Sequence, residues 1–342
     1  MRVPRFYRGE LAGEAITLSV GLRLITAGPL VVLAALWILF GVLSPYFFTT
    51  SNLTNILVQS STVALLSLGA LAVVMVGSLD LSLGAIVGLC TIVGAVVFRE
   101  TSIDWLVVPA MLALGLAIGA VNAFIIVTLR FGNAFIVTLG MLYAVQSLSY
   151  VISGGTDVPG MPGYVQGLAN DRFAGIPGPI LLVLIVAGLL WLFLNRVVWG
   201  RWIVAVGGSP DSAGKVGIPV RKVLFSIYVI GGLFAAITGV LMSGLNNAGV
   251  VSTGTSILLA IAAVVIGGTS LSGGRGSVWA TVVGAVILTS ITNGLTLLTV
   301  DPNWVPFAVG AVLVVAVGLD TLRHTIERRL QIRQAQIQAG PP

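Results

Sequence analysis

The stretch GGSPDSAGKVG, residues 207–217, has the composition of a phosphate-binding loop. Such a loop is written G-x-x-x-x-G-K-[ST]. Main-chain N–H groups wrap the phosphates, the lysine reaches them, and the hydroxyl meets Mg²⁺. Counted back from Gly214 and Lys215, the first glycine belongs at position 209, which is Ser209, and the hydroxyl at 216, which is Val216. Pro210 removes one N–H from the cradle. The loop should also follow a buried strand. It follows PILLVLIVAGLLWLFLNRVVWGRW instead, which reads as a long apolar helix with a basic end. Nucleotide binding is therefore not assigned here, and the stretch needs another role.

Other chemistry has little material. Cys90 is the single cysteine and His324 the single histidine. A disulfide within the chain and a cysteine metal cluster need more, and histidine–cysteine metal sites and Ser–His or Cys–His catalysis have little to work with. No catalytic residue, metal ligand or cofactor site is assigned, and the chain reads as a non-enzyme. Asp80, in MVGSLDLSLGA, is the one ionisable residue of note within the apolar sequence. Ser78 or Asp80 could cap the following helix, where N–H groups are free. Asp80 could equally serve a transport path, because carboxylates at membrane depth are costly. Uncharged polar residues also cluster. Asn55 and Gln59 are four apart and share a helix face, as do Thr289 and Asn293, while Asn122 and Gln146 lie on two further apolar segments. Two readings stay open for each: a hydrogen bond between helices or the wall of a hydrophilic path.

The elements that must position these residues are membrane helices. The chain is 57% hydrophobic and 8% charged, against about 25% charged in soluble proteins. Ten apolar segments approach the ~20 residues needed to cross a bilayer: 21–43, 53–77, 81–98, 105–129, 133–152, 176–196, 223–244, 257–268, 277–295 and 303–320. The eighth is short and ends at GGTSLSGGRGS, which predicts a half-helix or re-entrant element. That is tolerated only where protein or water covers the backbone. The fold class is therefore all-α, a polytopic integral membrane protein of about ten transmembrane helices. The start of the chain lacks a short apolar core with a small-residue cleavage site, so no cleavable signal peptide is expected.

Placing the N-terminus in the cytoplasm puts fifteen of the 17 Lys and Arg residues inside and only Arg99 and Arg172 outside. Positive residues favour the cytoplasmic side, so both termini are expected there. The sequence pI of about 10.0 is then a topological signal, and no nucleic-acid partner is implied. The expected organisation is a cytoplasmic segment 1–20, a transmembrane domain 21–320 with a long inside connection 197–222, and a basic cytoplasmic tail 321–342. The longest outside connection, rich in Gly and Pro, joins the fifth and sixth segments. Gly84 with Gly88, and Gly115 with Gly119, are small-xxx-small pairs that permit close helix packing. AVVMVGSLDLSLGA followed by TIVGAVV is echoed by AVVIGGTSLSGGRG followed by TVVGAVI. Internal repeats of this kind occur in transporters.

Taken in order, NLTNILVQSS, VGSLDLSLGA, NAFIVTLGMLYAVQSLSYVISGG, GRWIVAVGGSPDSAGKVGIPV and ILLAIAAVVIGGTSLSGGRGSVWATVVGAVI resemble the membrane permeases of ribose-type sugar ABC importers. The resemblance runs from about Asn52 to Leu319. The family often has Asn where this chain has Ser209 and Ile where it has Leu79. The resemblance implies a multi-pass protein of the bacterial cytoplasmic (inner) membrane, in contact with lipid. Two permease subunits, identical or similar, would form the channel. Two separate ABC ATPase subunits would hydrolyse ATP, and a periplasmic or lipid-anchored binding protein would deliver a small sugar. The 197–222 connection would be the coupling loop that docks on the ATPase. Arg201 and Lys215 would pair with acidic groups there, and Gly207, Gly208, Ala213 and Gly217 would allow close approach. A short helix is expected to begin near 211, after Ser209 and Pro210. Asn55, Gln59, Asp80, Asn122, Gln146 and Asn293 are the candidate path residues. The alternative is an ion-coupled secondary transporter acting alone, for which Asp80 is the one intramembrane candidate.

Overall fold

Breaks in helices, as much as the helices, set the architecture of this chain. The computed structural model describes residues 28–254, 256–301 and 303–311, together with 314 and 318. The segments 1–20 and 321–342, with His324, lie outside the described residues, as do parts of the first and last expected spans.

The helices are α1 (Gly28–Leu43), α2 (Thr50–Val74), α3 (Leu83–Thr101), α4 (Val107–Ala123), α5 (Ala134–Ser153), α6 (Gly163–Asn170), α7 (Gly178–Arg196), α8 (Val198–Gly208), α9 (Pro210–Lys215), α10 (Val220–Asn246), α11 (Ser256–Ile266) and α12 (Val278–Leu297). Residues 304–311 are also helical. Single turns, Asp104–Leu106 and Phe124–Thr128, extend α4 at its two ends. Seven helical stretches among the described residues are long and apolar enough to cross a membrane; α1 and α11 are shorter apolar helices. Three of their starts follow side-chain caps. Thr49 accepts from Asn52 N–H, Asn133 from Phe135 N–H and Ser277 from Ala280 N–H, each removing one of the free donors at a helix start.

α10 is the central post. It packs against α2, α3 and α4, while α12 packs against α2 and α11. Small residues bring these helices close. A Cβ on Gly115 or Gly119 would meet the backbone of α10 at Gly232 or Tyr228. The core holds Leu65, Leu68, Ile86, Ile92 and Met111, all fully buried. The outer surface is apolar instead of charged: Val42 is 82% exposed and Val151 75%. A soluble chain does not carry so much exposed apolar surface; a lipid-facing one must.

One expected helix and one expected loop differ. The apolar run before 207 is not one helix. It breaks at Val197, whose backbone is extended, into α7 and α8. Gly200 permits the fold-back, because a Cβ there would strike the backbone of Leu194. The outside connection is also partly ordered into α6 and two short ladders. In one, β1 (Val158–Pro159) pairs antiparallel with β4 (Ala248–Gly249), with Val158 opposite Gly249. In the other, β2 (Arg172–Phe173) pairs with β3 (Ile176–Pro177). The short helix of the inside connection starts at Pro210, with Ser209 accepting from Ser212 N–H, close to the expected 211.

Candidate functional site

α10 gives a ruler for depth. Its 27 residues span about 40 Å at 1.5 Å per residue. Gly231, near its middle, lies against Leu83, the first residue of α3. The second turn of α3 follows α10 toward its C-terminal end, with Val87 and Cys90 against Gly239. So α3 begins halfway across the bundle, and the non-helical link 75–82 lies at depth. A second irregular stretch, 250–254, lies beside it: Cβ atoms on Gly84 and Gly88 would meet the backbone of Gly254 and the hydroxyl of Thr253. These small-xxx-small glycines therefore pack against a non-helical strip of their own chain.

At the first break, Asp80 is 3% exposed. Its Oδ1 accepts from Ser82 N–H (2.9 Å) and from Ser82 Oγ (2.6 Å). Asn122 Nδ2 donates to Ser82 Oγ (2.7 Å) and to Asp80 Oδ2 (3.3 Å). Thus Asp80 ties down the residue that precedes α3. Ser78 does not cap the helix; its hydroxyl pairs with Tyr228 OH on α10 at 2.7 Å. The Asp80 carboxyl group at this depth is held by Ser82 and Asn122. The Asn122 Oδ1 atom is buried without a partner among the described residues.

At the second break, Gln146 on α5 spends its whole amide on main chain. Nε2 donates to Val251 O (2.6 Å), and Oε1 accepts from Gly254 N–H (3.1 Å). Thr91 Oγ1 accepts from Val250 N–H (2.9 Å) and shares its one proton between Gly88 O (2.7 Å) and Val250 O (3.1 Å), and Thr253 Oγ1 donates to Gly84 O (2.7 Å). From the outside connection, Asp157 Oδ1 accepts from Val251 N–H (2.8 Å). α11 then covers only about 16 Å of depth with its 11 residues, as a half-helix must.

The remaining path candidates separate. Asn55 and Gln59 are both exposed on α2, in its polar first half, whereas residues 64–74 are buried. Asn293 faces inward and donates to Asn52 Oδ1 at 2.9 Å, a bond between α12 and α2. The six residues therefore form one buried pair (Asp80 with Asn122), one clamp (Gln146), one interhelical bond (Asn293) and one open face (Asn55 with Gln59).

The inside connection is a helical hairpin, and this removes the phosphate cradle. Ser209 N–H is committed to Ala205 O and Ala213 N–H to Ser209 O, so these donors cannot wrap an anion. Arg201, Gly208, Lys215 and Gly217 are exposed. Gly207 and Ala213 are not. Ala213 is 4% exposed and packs in the core. A Cβ on Gly207 would run into Met75 O and Gly274 N. Their small size serves contacts within the chain, not an open docking face. Gly207 thus sits where the two echoed segments meet, for Gly274 N–H donates to Met75 O at 2.8 Å.

Sequence reasoning passed over Ser82, Thr91, Asp157, Tyr228 and Thr253. Apart from the local contact of Ser82 with Asp80, their partners lie far away along the chain: Ser78 and Tyr228 are 150 residues apart, and Thr253 and Gly84 169 apart. No local spacing reports such pairs.

Comparison with known proteins places this arrangement. The family described as "Branched-chain amino acid transport system / permease component" matches residues 52–317. The D-allose transport system permease protein AlsC of Escherichia coli K12 is 35% identical over 300 residues, 86% of this chain and 91% of that protein. The ribose import permease protein RbsC of the same strain is 35% identical over 302 residues, covering 86% and 93%. The fructose import permease protein FrcC of Rhizobium meliloti is 33% identical over 306 residues, covering 86% and 84%. No solved structure matches the chain. With a family match over most of its length and relatives above 30% identity over 86% of it, this multi-pass chain belongs to the branched-chain amino acid transport system / permease component family.

Proposed function

We propose that the chain is the membrane permease subunit of an ATP-driven importer for a small sugar. One observation carries the substrate class. The family description speaks of branched-chain amino acids, but the relatives that align over 86% of the chain are named for allose, ribose and fructose. The geometry fits the role. Asn55 and Gln59 put amides on an exposed helix face, where a lipid contact would leave their polar atoms unsatisfied. Water, solute or a second permease subunit belongs there.

In this reading the chain crosses the bacterial inner membrane ten times, with α11 and its irregular approach as the eighth crossing. Both ends, 1–20 and 321–342, lie in the cytoplasm around a permease domain at 21–320. Two permeases, alike or different, enclose the path. Separate ATPase subunits dock on the 197–222 hairpin through its exposed residues Arg201, Gly208, Lys215 and Gly217, while Gly207 and Ala213 brace the hairpin from within. An extracytoplasmic binding protein delivers the sugar. The ion-coupled alternative has less support, since Asp80 is buried with its oxygens committed to Ser82 and Asn122.

The test is reconstitution in liposomes with the ATPase and the binding protein. Labelled ribose, allose and fructose are offered beside leucine. ATP-dependent sugar uptake that needs all the components supports the reading; uptake by this chain alone, driven by an ion gradient, overturns it.

A further inference from the structure

The strip 250–254 has two unlike sides. On one side every contact is made: Thr91 holds both main-chain groups of Val250, Asp157 and Gln146 hold those of Val251, and Gln146 also takes the N–H of Gly254. Among the described residues the N–H of Thr253 and the C=O of Gly254 are also without a partner, but Ser252, in the middle, is the exposed residue of the strip. Its side chain is exposed. Among the described residues, neither its N–H nor its C=O has a hydrogen-bond partner. Both neighbours are buried, Val251 at 8% and Thr253 at 1% exposed.

Depth makes this informative. The strip lies against the first turns of α3, which begin halfway along α10. Hydrocarbon cannot face an unpaired peptide group, so irregular backbone at this depth must be covered by protein or must line water. The clamp covers one side with protein. The other side, at Ser252, offers a hydroxyl, an N–H and a C=O within one residue. This set both donates and accepts, as the hydroxyls of a sugar do. We infer that Ser252 lines the aqueous path and exchanges hydrogen bonds with the passing sugar, and that Gln146 is the positioning residue that presents it. The inference rests on the permease reading and adds to it a wall residue and the clamp behind it.

The test uses the full complex, permease with ATPase and binding protein, in liposomes. Cys90 is fully buried and can remain. Ser252→Cys is treated with a charged methanethiosulfonate reagent, and Val151→Cys on the apolar outer face of α5 is the comparison. Ser252→Cys should react on the order of 100-fold faster, since a charge is excluded from hydrocarbon, and its modification should stop uptake. Reaction with a membrane-soluble maleimide only, or with neither reagent, places Ser252 against lipid or a second subunit and overturns the inference. Should the variant fail to assemble, hydrogen–deuterium exchange on the unmodified complex answers the same question. The Ser252 amide should exchange fast while those of Val250, Val251 and Gly254 are protected; slow exchange at Ser252 overturns the inference. Labelling at Ser252 without any ATP-dependent sugar uptake by the unmodified complex would sink the sugar reading and leave the water-lined wall standing.

Discussion

The main-chain N–H of Gly274 donates to the carbonyl oxygen of Met75 at 2.8 Å. This bond joins the break after α2 to the break before α12, and Gly207 of the inside hairpin is wedged against both atoms. The hairpin that would meet an ATPase therefore rests directly on the two links that interrupt the membrane helices. Movement of α8 has no slack to cross before it reaches them.

Gly207→Ala should show this junction. The added methyl meets Met75 O and Gly274 N, and overpacking of a tight core costs roughly 1–3 kcal/mol. A lower thermal stability in detergent is expected. Gly208→Ala, where nothing lies within 4 Å, should leave it unchanged. Equal effects at the two positions would remove the wedge.

Ala213→Trp should damage folding, because Ala213 is buried under the hairpin. A loss of permease from the membrane fraction is the expected reading. Lys215→Ala truncates an exposed charge, worth about 0–1 kcal/mol in any partnership. Its permease should accumulate normally, and any loss should be confined to association with the ATPase in co-purification.

Asp80→Asn separates structure from ion coupling. The amide oxygen can still accept from Ser82, and Asn122 can turn its unpartnered Oδ1 toward the new NH₂. ATP-dependent uptake should be largely kept. Asp80→Ala strands buried donors at about 1–3 kcal/mol and should lower stability. Loss of all uptake in a well-folded Asp80→Asn protein would point to the secondary-transporter reading.

Gln146→Glu keeps the size but removes the N–H that Val251 O accepts, setting a carboxylate against a carbonyl. Uptake should fall sharply while the complex still assembles. In contrast to this clamp, Gln59→Leu removes one amide from an exposed face. It should reduce uptake without changing stability, measured side by side in liposomes. Normal uptake in Gln59→Leu would make the α2 face a packing surface.

Topology can be read by single cysteines. One at Ser209 should be labelled only from the cytoplasmic side and one at Gly160 only from outside; outside labelling at Ser209 reverses the orientation.

Much of this was legible in the sequence, for one reason. In a bilayer each helix must satisfy its own backbone, so a crossing is written locally as an apolar run. The boundaries of α2 through α5, α7, α10 and α12 lie within a few residues of the expected segments. The short eighth segment was visible because Gly and Ser interrupt its apolar run early. Caps were visible for the same reason, since Ser209 bonds only three residues ahead. The echo between 72–85 and 263–276 was visible as text, but not that its two glycine links touch.

Tertiary structure alone decided which polar residues work together. Asn55, Asp80, Asn122, Gln146 and Asn293 all read in sequence as polar residues of apolar segments. Whether each faces water or another side chain depends on which helix lies opposite, and that is set by packing across 40 to 241 positions of chain. The same holds for small residues. Gly207 and Gly208 are neighbours in one motif, yet one is wedged against two backbones and the other is open. A helix turns about 100° per residue, so adjacent residues meet different surroundings, and only the folded bundle says what those are.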